Sequence, residues 1–322
     1  MGENSKILIN RFVVGGVIGS GSFGVIKLGY DLEKKRKVAI KFQLRKITAD
    51  RNLTNSLEYT ALKDLQVACP GHGFPEVYYL HENVAFNEQK YFVMELCGPS
   101  IWDLFFIRCK KSFTLKTILM LVDQLIALLE QLHTAGYIHR DLKPDNMVMG
   151  YGSNVDTVYL VDFGLAQKYK NDKENETGSN SKDKFAGTIA FASANALEGK
   201  RQSPRDDMES LAYSILMLIR GGVLPWCYVF KEEEDIMERV AEIKRRLSPE
   251  EMFAGLPYEF ALYLKMVREL EYDDTPQYQV YRQVFRNLAY CLNYNYDLEF
   301  DWKVRRVWNG GETHTAKINV PS

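Results

Sequence analysis

The sequence predicts an α+β chain in two lobes, an N-terminal antiparallel-sheet lobe with one main helix and a larger helical C-terminal lobe. Three observations lead there. Strand patterns mixing β-branched and aromatic residues dominate up to residue 94. A short break at 97–100 contains Gly98 and Pro99. Beyond it, apolar residues recur at helical spacing.

Taken in order, strands are expected at 12–19, 25–30, 37–42 and 91–94. One helix interrupts them at about 56–67, where Leu57, Ala61, Leu62 and Leu65 fall on one face. After the break, the run 115–132 carries a broad apolar stripe that includes Ile118, Val122, Leu125 and Leu129, with Ser112 or Thr114 as its N-cap. Further helices are expected at 207–219, 260–269 and 281–292. Residues 171–184 are nearly all polar and are expected to be mobile. No periodicity follows Trp302, and no internal repeat is visible. The expected division is 1–97, 98–302 and a tail at 303–322.

Composition narrows the function classes. A chain of 322 residues suits two lobes and can bury a sizeable core. A net charge of -1 argues against a broad nucleic-acid surface. The five cysteines are scattered without a C-x-x-C pair, which argues against a zinc site or disulfide framework and for a reducing compartment, cytoplasmic or nuclear. No secretory signal opens the chain, and Lys6 stands where a myristoylation motif wants Ser or Thr. The run 115–132 contains Lys116, Asp123 and Glu130 and is not a membrane span. A monomer is expected.

The chemistry concentrates in His139-Arg140-Asp141-Leu142-Lys143-Pro144-Asp145-Asn146, followed by Asp162-Phe163-Gly164. These segments supply a base, a cation, a metal-binding amide and a second metal carboxylate, the parts needed to move a phosphoryl group from a metal-bound nucleotide to a hydroxyl. Asp141 is expected to orient the acceptor hydroxyl and take its proton. Lys143 is expected to offset charge on the phosphoryl group, and Asn146 and Asp162 to hold Mg²⁺ against ATP. An isolated Asp or Asn is more often a surface or capping group, but eight residues of the right types in order reverse that balance.

Upstream, Gly19-Ser20-Gly21-Ser22-Phe23-Gly24 joins two expected strands. Its glycines admit φ > 0 and close approach of amides to phosphate, which suits a hairpin lid; a plain glycine hairpin fits this motif alone equally well. In Val38-Ala39-Ile40-Lys41 the lysine ends a buried strand and needs anionic partners, the phosphates and a carboxylate for which Glu58 is the best candidate. Thr188 follows Gly187 and is placed to bond Asp141 and Lys143, an arrangement that suits a Ser/Thr acceptor. Asp207 either braces the catalytic loop by accepting backbone N–H bonds or simply N-caps the following helix.

These residues resemble the eukaryotic protein kinases over roughly 12–302, and within them the casein kinase 1 group. Glu95-Leu96-Cys97-Gly98-Pro99-Ser100 is similar to that group's hinge, with Met94 in the gatekeeper place. Ser193-Ala194-Asn195 stands where the group carries S-I-N, and Arg205-Asp206-Asp207-Met208-Glu209-Ser210-Leu211 where it carries R-R-D-D-L-E-S-L. Leu224-Pro225-Trp226, Phe285-Arg286-Asn287-Leu288 and Phe300-Asp301-Trp302 match as well. The resemblance implies a bilobal kinase fold, ATP and Mg²⁺ as cofactors, protein substrates with Ser/Thr acceptors, and a nucleotide site that also takes in Ile18, Ile26, Ala39 and the hinge residues.

Two departures bear on substrate choice. Ala190 replaces the group's anion-binding Arg in 186–193. The run Lys231-Glu232-Glu233-Glu234-Asp235 is acidic where the group is basic, and Lys244, Arg245 and Arg246 retain only part of the downstream cluster. Phosphate needs Arg or Lys partners, so recognition of acidic or phospho-primed substrates is expected to be weakened or altered.

Two rival classes are weighed against an active kinase. A scaffolding pseudokinase predicts loss of Lys41, Asp141, Asn146 or Asp162, all present. A dinucleotide-binding oxidoreductase has only the glycine pattern and lacks the helix that must follow it. Arg140 is placed to pair with a phosphorylated Thr177, Ser179 or Ser181, but the resemblance implies activity without that modification.

Overall fold

The computed structural model of the protein describes residues 7–21, 24–43, 54–71, 73–81, 90–169, 185–231 and 235–304. The polar stretch 171–184 with Thr177, Ser179 and Ser181, the glycine-loop residues Ser22 and Phe23, Glu232 to Glu234 of the acidic run and the tail from 305 lie outside the described residues.

The N-terminal lobe is a six-stranded antiparallel sheet in the order β1-β2-β3-β4-β6-β5. Its strands are β1 (Ile7–Ile9), β2 (Phe12–Gly21), β3 (Gly24–Asp31), β4 (Arg36–Gln43), β5 (Val77–His81) and β6 (Tyr91–Glu95). Side chains alternate across the sheet with period two. In β4, Val38, Ile40 and Phe42 therefore pack into an outer cluster with Phe12, Tyr91 and Val93. Ala39 and Lys41 face the other way, and Ala39 joins the main core with Phe92 and Met94.

Against that inner face lies α1 (Thr54–Ala68), which also packs on β5 and on the turn Phe163–Leu165. Ala61, Leu62 and Leu65 are buried as their spacing predicts, but Leu57 is 47% exposed. The buried position in that turn is Glu58, so the helix face is rotated toward the carboxylate that meets Lys41.

After the break come α2 (Ile101–Asp103), a π-helical turn Leu104–Arg108 and the long α3 (Leu115–Thr134), which Thr114 caps by accepting from the Thr117 N–H. Full burial of each large side chain of α3 contributes about 1.5–3 kcal/mol. On its far side Asp123 accepts two bonds each from Arg282 and Arg286, tying α3 to α9 (Tyr278–Cys291).

The small ladders β7 (Tyr137–Ile138) with β10 (Gln167–Lys168), and β8 (Met147–Met149) with β9 (Val158–Leu160), pin the loops between α3 and the rest of the lobe. Helices α4 (Ala194–Leu197), α5 (Pro204–Ile219), α6 (Ile236–Arg246), α7 (Pro249–Met252), α8 (Tyr258–Arg268), α9 and α10 (Asp301–Val304) complete it. One continuous core runs from Ala39 and Phe92 to Trp302.

Helix α5 starts at Pro204, not Asp207, and its N-cap is Ser203, whose N–H donates to Asp206 at 2.7 Å. The N-cap reading of Asp207 is thereby corrected. Besides the short ladders β7–β10 and the short helices α2, α4, α7 and α10, the unforeseen elements are β1, β5 and α6. β1 is only three residues long, β5 is an edge strand, and α6 hides its buried positions among charged ones. Among the described residues no helix is long and apolar enough to cross a membrane.

Candidate active site

Three pieces of chain meet under the sheet. β4 points Lys41 inward, α1 brings Glu58, and the turn after β9 brings Asp162. Lys41 Nζ donates to both Glu58 oxygens at 2.8 and 2.7 Å and to Asp162 Oδ1 at 2.8 Å. Burial disfavours the ammonium, yet the two carboxylates outweigh it and hold the pKa above the ordinary lysine range. Burial raises the Asp162 carboxyl, but the attraction of Lys41 prevails and keeps it below its usual value. Asp162 adopts φ 65 and ψ 65, left-handed for a non-glycine residue, which costs of order 1–3 kcal/mol. Phe163 anchors the turn, with its ring 5.9 Å from Phe74 and 5.1 Å from His139.

The second cluster is the loop between β7 and β8. Asp141 Oδ1 accepts from Thr188 Oγ1 at 2.7 Å, and Oδ2 accepts from Lys143 Nζ at 2.7 Å. Lys143 Nζ also donates to Thr188 Oγ1 at 2.7 Å, closing a triangle. Asn146 Nδ2 donates to the Asp141 carbonyl at 2.9 Å and to Oδ2 at 3.3 Å. Gly187, at φ 132, lets the Thr188 segment approach, because a Cβ there would stand 2.8 Å from the Arg140 carbonyl.

Asp207 braces this loop from below. Its Oδ2 accepts the His139 N–H at 2.7 Å and its Oδ1 accepts the Arg140 N–H at 3.0 Å. His133 Nε2 lies 3.0 Å from the same carboxylate, and His133 Nδ1 lies 2.7 Å from Tyr278 Oη. Burial raises the Asp207 carboxyl, but bonding from His133 and the loop N–H outweighs it and keeps it low. His133 escaped the sequence reading, since nothing in its spacing from His139 marks it. Arg140 sits at φ 69 and donates to Gln167 Oε1 at 2.6 Å.

The glycine segment is the β2–β3 hairpin, with Gly19 opposite Ile26 and Gly21 opposite Gly24. A strand follows it, so the strand-to-helix requirement of a dinucleotide fold is not met. Gly19 and Gly21 do not use the positive φ that glycine admits. Gly24 is required by close packing, since its Cβ would stand 2.3 Å from the Phe42 carbonyl. Nothing lies within 4 Å of a Cβ at Gly21. Around the cleft, Ala39 and Met94 are buried and paired across β4 and β6, Ile26 packs on the core, Ile18 is exposed, and Leu96 and Cys97 are half-buried. Ser20 pairs with Val25 in the hairpin, and Glu95 Oε1 accepts from Tyr159 Oη at 3.4 Å.

Beyond Thr188 one expectation is overturned. Lys244 belongs to no surface cluster. It is fully buried, and its Nζ donates to the carbonyls of Ile189 at 3.0 Å, Ala190 at 3.2 Å and Ala192 at 2.6 Å. Trp226 Nε1 donates to the Ala190 carbonyl at 2.9 Å. Arg245 bonds both Glu198 oxygens at 3.0 Å and Asn195 at 2.6 Å; hydrogen bonding to Arg245 holds the Glu198 carboxyl down to about 2.

A family model for the protein kinase domain matches residues 12–270, well over half of the chain. The chain belongs to the protein kinase family. A protein kinase is a phosphotransferase that uses ATP, usually with Mg²⁺, on protein substrates, and the donors present fit that metal. Asn146 commits its Nδ2 to Asp141 and so leaves its side-chain oxygen for a cation, and its backbone carbonyl accepts the Val161 N–H at 3.0 Å, which ties it to the residue before Asp162. Among the described residues no group of three or more His, Cys, Asp or Glu side chains forms an all-protein metal cage. Mg²⁺ characteristically takes one or two protein oxygens and completes its shell with phosphates and water.

Proposed function

We propose that the protein is an ATP- and Mg²⁺-dependent serine/threonine kinase resembling casein kinase 1, with altered recognition of acidic or phospho-primed substrates. The observation that carries the acceptor choice is the closed triangle of Asp141, Lys143 and Thr188. The triangle already holds one aliphatic hydroxyl, that of Thr188, against Asp141, and an acceptor hydroxyl of the same kind suits it. Asp141 orients that hydroxyl and accepts its proton, while Lys143 stabilises charge on the oxygens in flight. Lys41, kept in place by Glu58, holds the nucleotide phosphates under the hairpin, with Ala39 and Met94 walling the cleft toward the hinge. Asn146 and Asp162 would hold the metal ion, which would supply positive charge against the charge developing on the phosphates. A monomer acting in the cytoplasm or nucleus suits this reading.

The altered substrate choice is supported by what stands around Thr188. Ala190 brings no charge, Lys244 is turned inward, and Arg245 is engaged by Glu198. A scaffolding pseudokinase is disfavoured by the intact Lys41–Glu58 and Lys41–Asp162 contacts.

The test is a peptide series with and without a phosphoserine N-terminal to the acceptor, followed by acid hydrolysis of the product. Phosphoserine or phosphothreonine at comparable rates from both peptides is expected. Phosphotyrosine would end the Ser/Thr reading, and a strong preference for the primed peptide would end the altered-recognition reading.

A further inference from the structure

A buried lysine beneath the segment 189–192 has no role in the chemistry described so far. Three carbonyls from neighbouring residues converge on Lys244 Nζ at 2.6 to 3.2 Å, one for each N–H of an ammonium. The rings of Trp226 and Tyr213 lie 4.5 and 4.6 Å from the same nitrogen. Lysine suits this site better than arginine, because its three donors rotate about a point while a guanidinium fork is planar. The segment is a turn fastened at its start by the Phe191 and Ala192 N–H groups donating to the Thr188 carbonyl at 3.0 and 3.1 Å. Thr188 itself touches Asp141, so the residues that follow it border the acceptor side of the catalytic loop. With their carbonyls drawn inward, Ile189 and Ala190 keep partly exposed side chains.

Behind Lys244 the support is continuous. Arg268 Nη2 donates to the Lys244 carbonyl at 2.6 Å and to Tyr213 Oη at 3.0 Å, and Tyr213 Oη donates to Glu209. Glu209 and Arg268, the nearest charges, act on Lys244 with opposite sign.

We propose that Lys244 is a positioning residue for the acceptor peptide, fixing from below the backbone of 189–192 against which the substrate lies. The proposal rests on the kinase reading above and adds a residue to it. Lys244 touches neither the nucleotide nor the reacting atoms, so its loss disturbs peptide binding first.

The test is steady-state kinetics of Lys244→Met, which keeps the apolar stem and removes the donors. KM for the peptide is expected to rise roughly tenfold, about 1.4 kcal/mol, with KM for ATP within about twofold of wild type. A merely structural lysine would lower the active fraction, and hence kcat, and leave both KM values alone; that result overturns the proposal. Should Lys244→Met fail to fold, Trp226→Phe decides. It removes the indole N–H from the Ala190 carbonyl, shortens the ring that lies over Lys244 Nζ, and is expected to raise peptide KM roughly threefold. An unchanged peptide KM in Trp226→Phe would then overturn the proposal. Wild-type protein that phosphorylates no peptide would instead remove the kinase reading itself, which separates the two failures.

Discussion

Lys41 and Lys244 are both buried lysines with three short contacts, and they do opposite things. Lys41 meets two carboxylates, which hold it charged against burial. Lys244 meets only carbonyl dipoles and ring faces, and burial pushes its pKa well below the ordinary lysine range. A partner that carries charge creates a strong local field, which is useful where phosphate oxygens arrive. A partner that carries only a dipole leaves the lysine a clamp on backbone geometry. The lobes therefore use one residue type for two tasks, chemistry above and acceptor presentation below.

The contrast can be broken most directly by removing the charged member. Lys41→Met is expected to lower kcat/KM by about 10²–10³ and to destabilise the fold by about 3–5 kcal/mol, since Glu58 and Asp162 lose their shared cation. Removing Lys244 leaves the Ile189 and Ala192 carbonyls without that donor, at about 1–3 kcal/mol each, while Ala190 keeps the Trp226 N–H. Because the burial cost of the lysine itself is relieved at the same time, the net loss is expected to be the smaller one. Urea unfolding of Lys41→Met and Lys244→Met side by side checks the order, and equal losses would erase the distinction. Glu58→Gln is a milder probe of the upper site. It keeps a hydrogen-bond acceptor but no charge, and is expected to cost roughly tenfold in kcat/KM through a raised KM for ATP.

The smallest effect concerns the lower site and pH. Asp206 accepts from Ser193 Oγ at 2.6 Å, at the end of the acceptor segment, and burial pushes its carboxyl up to about 6. A carboxyl raised on folding contributes stability that is fully present below its unfolded value of 3.8 and lost as pH climbs through about 6. The loss is about 3 kcal/mol at most. Asp162 and Asp207, held low, act in the opposite sense, so only a difference isolates Asp206. The stability gap between wild type and Asp206→Asn is expected to shrink from pH 4 to pH 7.5. A gap that stays constant in denaturant melts would contradict it.

Much of this was legible in the residues because the catalytic parts are local in sequence. Asp141, Lys143 and Asn146 share one loop, and period two alone turns Lys41 toward Glu58. The carboxylate partner was readable too, because a buried lysine demands one. What stayed hidden depends on long-range approach. Lys244 reads as part of a basic cluster until folding brings it under residues 52 to 55 positions away. Leu57 fits an apolar stripe, yet α1 turns so that Glu58 is the buried residue. Asp207 stood open between a brace and a cap, because the true cap at Ser203 and Asp206 lies within a turn of it. The hairpin glycines invited a reading of positive φ, whereas Gly24 answers to the carbonyl of a neighbouring strand.

The central claim is metal-assisted transfer of a phosphoryl group to a hydroxyl oriented by Asp141. Transfer of radiolabelled phosphate from ATP to casein, by wild type and Asp141→Asn with Mg²⁺ and with excess chelator, tests it. Wild type is expected to label casein only with Mg²⁺, and Asp141→Asn, which keeps the shape and loses the base, to be slower by about 10²–10⁴. Equal labelling by the variant, or labelling that survives the chelator, would contradict the account.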